Sequence, residues 1–93
     1  MAEQHAIRML STERKNVTST QDFYTAPFGG VYRVFSNRDA HLKFGSGVTT
    51  SNGMPICQGT AIYVSMGTDE SIYFLRADGE TDGNIWFTKV SQA

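Results

Sequence analysis

The sequence predicts an all-β domain, a small antiparallel β-sandwich or barrel. Two observations carry that reading. Proline, glycine and Asn/Asp clusters break the chain every 8 to 15 residues, and between the breaks apolar side chains alternate with polar ones. Short strands at that spacing, six to eight of them, are the signature of a closed or two-layered β fold.

The first 25 residues form a segment of their own, read as an N-terminal arm or first strand, with the β-sandwich domain over 26–93. Helix formers occur from Ala2 to Lys15, but Ala6, Ile7, Met9 and Leu10 make a ragged stripe, and Asn16 to Thr20 leans towards β. An extended segment is therefore favoured over a short helix.

Gly30 to Ser36 is a β-branched and aromatic run closed by the turn cluster Asn37-Arg38-Asp39. Ala40 to Phe44 follows with strict alternation: Ala40, Leu42 and Phe44 face one way, His41 and Lys43 the other. That is a half-buried antiparallel strand. Two glycine-bearing clusters, Gly45-Ser46-Gly47 and Ser51-Asn52-Gly53, bracket a loop. Met54 to Cys57 is a short apolar piece that Pro55 confines to an edge or a strand start. Thr60 to Met66, Ser71 to Arg76 and Asn84 to Val90 complete the strand set.

At 93 residues the chain makes one domain, of a size that buries roughly 60–65% of its unfolded surface. Cys57 is the only cysteine, so neither an internal disulfide nor a four-cysteine zinc site is possible. So small a fold without staples gains from a partner or an oligomer. The net charge of −1 argues against general nucleic-acid affinity. No apolar run approaches the roughly 20 residues needed to cross a bilayer. MAEQHAIRML lacks the pattern of a secretion signal, which places the chain in the cytoplasm or in a cytoplasmic product such as a virus particle. Charge is uneven along the chain: residues 1–43 hold six Lys/Arg against four Asp/Glu, and residues 44–93 hold two against five. Such polarity suits contact between protein subunits.

The acidic insert Asp78-Gly79-Glu80-Thr81-Asp82-Gly83 has the opening spacing of an EF-hand loop. Position 12, however, is Lys89, where a chelating glutamate belongs, and the flanks alternate as strands. A hairpin corner whose two Asp-Gly steps supply positive-φ glycines fits better than a calcium site. His41 sits on the polar phase of its strand and reads as a solvated surface histidine. Cys57 reads as a small core residue. His5 and His41 have no ligand spacing between them. The sequence therefore names no catalytic residue, no metal ligand and no cofactor.

Tyr63, Tyr73 and Trp86 occupy the phase opposite Ile62/Val64, Ile72/Phe74 and Ile85/Phe87. Both sheet faces thus carry large apolar groups, and only one can be buried inside a two-layer domain. The other is a surface for a protein partner.

Three segments resemble a family of small structural proteins of tailed bacteriophages. Val31 to Gly45 is similar to their strand, Asn/Asp turn, strand and KFG end. Met54 to Val64 is similar to their middle strand pair, and Asp82 to Val90 to their closing strand. The resemblance implies a jelly-roll-like or compact β-sandwich on the capsid exterior, made in the host cytoplasm. It implies a cement or decoration protein without enzymatic activity that binds the major capsid protein and itself, often as a homotrimer. Net charge and the lack of a long apolar run leave nucleic acid and membrane out of the expected partners. The expected contacts are Ile7, Arg8, Met9 and Leu10 in an arm along the capsid or a neighbouring copy, with Tyr63, Tyr73 and Trp86 on the sheet. A tail, neck or fibre-attachment role and a carbohydrate- or host-surface-binding module are the alternatives.

Overall fold

A computed structural model describes residues 7–92, with side chains described from Arg8 to Ser91. Eight strands follow in order: β1 (Ile7–Val17), β2 (Asp22–Thr25), β3 (Gly30–Ser36), β4 (Ala40–Phe44), β5 (Met54–Ile56), β6 (Ala61–Met66), β7 (Ser71–Arg76) and β8 (Gly83–Gln92). They form two four-stranded antiparallel sheets. Sheet I has the order β1-β8-β3-β6 and sheet II the order β2-β7-β4-β5. Strands equally far from the β4–β5 pair are joined to each other: β3 to β6, β2 to β7, β1 to β8. The chain is therefore one long antiparallel ribbon rolled over on itself, the jelly-roll winding.

The expected strands over 30–36, 40–44 and 71–76 are found at those limits, and the two central ones differ by a residue. Of the two forms expected for residues 1–25, arm or first strand, 7–17 takes the strand form: it is the outermost strand of sheet I, paired with β8 along its length. Residues 22–25 belong to sheet II, so no domain boundary falls at 25/26. Two features blur the strand signal of β1. Its register shifts between Met9 and Ser11, leaving Leu10 as an extra residue that breaks the alternation. Its inward phase also carries Glu13 and Lys15, which sit at the rim of the sandwich where water still reaches them. The part of the expected arm before Ile7 lies outside the described residues.

The core lies between the sheets and is built from the inward phases of both. Tyr32, Val34, Ile85 and Phe87 come from sheet I, Tyr24, Ala40, Leu42, Ile56, Ile72 and Phe74 from sheet II. Rings lock the layers together: Tyr24 stacks on Phe87 at 4.6 Å, and Phe74 lies 5.5 Å from the same ring. The buried Tyr32 hydroxyl donates to Phe28 O at 2.7 Å, so a large amphipathic ring enters the core without an unmet polar group. Among the described residues no buried side-chain polar atom lacks a partner.

Candidate functional site

In an antiparallel ladder, residues directly opposite one another share a face. The register of sheet I therefore fixes its outward surface row by row. Arg14 lies opposite Trp86, Trp86 opposite Phe35, and Phe35 opposite Ala61. The next row is Thr12, Thr88, Arg33 and Tyr63, and the one beyond is Met9, Val90, Val31 and Ser65. Seven of these twelve positions are aromatic or aliphatic, and the others are Arg14, Arg33, Thr12, Thr88 and Ser65. Met9 is 74% exposed, Tyr63 54% and Val31 43%. Val90 and Thr88 point away from the core yet are 4% and 7% exposed, so their neighbours cover them. Val90 is absent from the cluster that fills the interior. A second, shallow apolar layer thus lies on the outside of sheet I.

Internal contacts order this layer. Thr12 and Thr88 share a hydroxyl hydrogen bond of 3.0 Å. Phe35 and Trp86 pack with centroids 5.8 Å apart and tilted, and the Arg33 guanidinium sits 5.5 Å from the Phe35 centroid. No Asp or Glu occupies any outward position in these rows; Glu13 takes the inward phase. Among the described residues neither Arg14 nor Arg33 makes a salt bridge.

The expected contact residues do not all meet. Met9, Tyr63 and Trp86 share the sheet I surface. Arg8 and the extra residue Leu10 are exposed beside it at the end of β1, and the Ile7 backbone pairs with Gln92. Tyr73 is elsewhere. It lies on β7 in sheet II, opposite Phe23 and Lys43, and packs on Phe23 at 5.3 Å. Its outward phase is as the alternation predicts, but alternation does not assign strands to sheets, and consecutive β6, β7 and β8 alternate between the two. Arg14, Arg33, Phe35, Val31 and Val90 were missed as surface members. For Val31, Arg33 and Phe35 the signal was present in the outward phase of 31–35, which is apolar at both ends.

The outward face of sheet II differs because the chain itself covers part of it. The loop over residues 45–53 crosses it, held at one end where His41 Nδ1 meets Gly53 O at 3.2 Å. At the other end Gln21 Oε1 accepts from the Gly47 and Val48 amides at 3.0 and 3.1 Å. Val48 is buried under this loop, apart from the main core. A Cβ at Gly53 would meet His41 Cβ and Val48 Cγ2 at 2.8 Å, so glycine is what lets the loop lie flat. His41 is accordingly half-buried and engaged, rather than a solvated surface histidine.

The acidic insert is a corner, but not of a hairpin. β7 and β8 belong to different sheets, and residues 77–82 carry the chain across. The carboxylates are used locally: Asp82 pairs with Arg76, and Glu80 lies 4.0 Å from Arg38, whose Nε donates to Thr81 at 2.9 Å. Gly79 has the expected positive φ of 82°, and Gly83 does not. Gly83 is required for closeness instead, since a Cβ there would overlap Asn37 Oδ1 and the Arg38 side chain. Cys57 is exposed rather than a core residue, because Ile56 fills the inward position and Cys57 opens the turn closed by Thr60 N to Cys57 O at 3.1 Å. Among the described residues no group of three or more His, Cys, Asp or Glu side chains could hold a metal ion.

An apolar cleft of about 280 Å³ opens between β6 and the β4–β5 pair, lined by Leu42, Phe44, Met54, Val64 and Ile72 with Lys43 and Asn52. It explains why Phe44, inward by phase, is still 42% exposed. At the small end of the range for ligand sites, and with a nearly all-carbon lining, it can take an apolar group but offers nothing reactive.

No family model matches the chain, and neither a curated protein nor a solved structure matches it. The surface geometry therefore has to carry the functional reading.

Proposed function

We propose that this chain is a structural component of a virus particle, a capsid cement protein that docks on the shell through the outward face of sheet I. One observation carries the proposal: that face is an ordered aromatic and aliphatic surface that no other part of the described chain covers. The largest exposed apolar patch of a soluble domain is often its functional surface, above all where polar residues rim it. The jelly-roll winding, common among capsid and lectin domains, supports the reading by analogy of fold. So does the resemblance of residues 31–45, 54–64 and 82–90 to phage structural proteins.

The size of the face says how such docking works. Four strands at about 4.8 Å spacing and six residues at about 3.4 Å rise give a footprint of roughly 400 Å². A standard protein interface buries about 800 Å² per partner, so one face alone binds weakly. A repeating lattice and an oligomeric cement compensate, because linked contacts raise avidity without new chemistry. A cement protein is present in hundreds of copies per particle. Quantitative mass spectrometry of purified particles tests this: hundreds of copies support the assignment, and a handful would move the chain to the tail, neck or fibre attachment.

Tyr63, exposed beside Arg33, favours a second reading as a carbohydrate-binding β module. Quenching of Trp86 fluorescence on a glycan panel would show it.

A further inference from the structure

We infer that the partner surface covered by the outward face of sheet I is an acidic protein surface, with carboxylates that engage Arg14 and Arg33 on either side of an apolar patch. The inference rests on the docking role proposed above and adds the chemistry of the partner.

The charge on this face has one sign. Arg14 lies opposite Trp86 on the β1 side, and Arg33 lies between Thr88 and Tyr63 on the β3 side. No carboxylate shares the surface, and among the described residues neither guanidinium is in a salt bridge. Arg38 and Arg76, by contrast, are both matched with carboxylates of the β7–β8 crossing. Two strand spacings and one two-residue step put the Arg14 and Arg33 Cα atoms about 12 Å apart. Arg33 is also held against Phe35, which limits how far its fork can wander. A pre-positioned guanidinium is suited to bidentate capture of a carboxylate. Placing two unmatched cations against a neutral apolar surface would strip their water without return, so a complementary partner has acids there.

A nucleic acid is also an anion, but the face is a poor match for one. Strand-tracking platforms interleave several cations with stacking rings, whereas Met9, Val31 and Val90 make the centre of one end aliphatic.

The test measures binding of the chain to isolated shells as NaCl is raised from low to high concentration. Wild type, R14E/R33E and V31D are compared, each first shown to melt like wild type. The inference expects salt to weaken wild-type binding roughly tenfold or more, and the double reversal to abolish both binding at low salt and its salt dependence. If V31D abolishes binding while salt and R14E/R33E leave it unchanged, the face docks but its partner is not acidic, and the inference falls alone. Should neither V31D nor the double reversal matter, the docking role of the face falls with it. Concentration-dependent self-association in sedimentation that R14E/R33E removes would assign the face to a second copy and overturn the proposal. Binding of a short DNA duplex with the same arginine dependence would overturn it equally.

Discussion

The two outward faces of the sandwich begin alike and end differently. Each carries rings on the phase opposite the core: Trp86, Phe35 and Tyr63 on sheet I, Phe23 and Tyr73 on sheet II. Sheet II then receives the 45–53 loop over part of its face, tied down at His41 and at Gln21 with Val48 buried beneath it, while Phe23 beside the loop stays 44% exposed. Sheet I receives nothing from the described chain. Apolar content alone therefore does not mark a docking surface. What marks it is apolar content that the chain leaves uncovered.

The contrast presumes one rigid core beneath both faces, and the largest effects come from breaking it. Phe87 touches Tyr24 and Phe74 across the layers, and Phe87→Ala is expected to cost about 3–5 kcal/mol in urea unfolding. Loss of that order would unfold much of so small a domain, and both faces with it.

The join between the layers can also be loosened by pH. Burial of Tyr24, with the Tyr32 phenol beside it, pushes its pKa from 10.0 up to about 12. The folded state thus holds this proton more tightly than the unfolded chain does. Its stabilising effect is complete below pH 10 and disappears as pH rises through 12, a decline on the order of 3 kcal/mol. Urea midpoints measured from pH 9 to 12 should fall, and Tyr24→Phe should remove most of the slope.

A matched pair of substitutions addresses the comparison itself. Val48→Asp puts a charge beneath the sheet II loop and should cost about 2 kcal/mol or more. Val31→Asp, on the open face of sheet I, should stay within about 1 kcal/mol by thermal melting. Equal losses would mean that the two faces are equally covered. The smallest effect is expected at the crossing loop, where Asp82 is mostly exposed. Asp82→Asn should change stability by no more than about 0.5 kcal/mol despite its pairing with Arg76.

Much of this fold was legible because alternation is a local property. Ala40 to Phe44 shows it without interruption, and the structure returns the same strand with His41 and Lys43 outward. Legibility failed where the answer depended on distant residues. The alternation of β1 is broken by the Leu10 irregularity and masked by its rim position, so the sequence leaves an arm and an edge strand equally open there. Tyr73 had the right phase and the wrong company, since sheet membership is set by pairing across dozens of residues. Cys57 follows an apolar residue and so reads as core, although a turn begins there. The arginines of the candidate surface were passed over for a similar reason. Arg14 and Arg33 are 19 positions apart in sequence and become neighbours only through β8.

Two methionines offer the most direct measurement of the central claim. Met9 lies on the open face of sheet I and is 74% exposed, while Met54 lies beside the cleft and is 51% exposed. Peroxide oxidation of the free chain should modify both, and mass spectrometry can follow each separately. With the chain bound to its shell, several-fold slower oxidation of Met9 and an unchanged rate at Met54 is the expected result. Protection of Met54 with Met9 oxidised at its free rate would contradict the account.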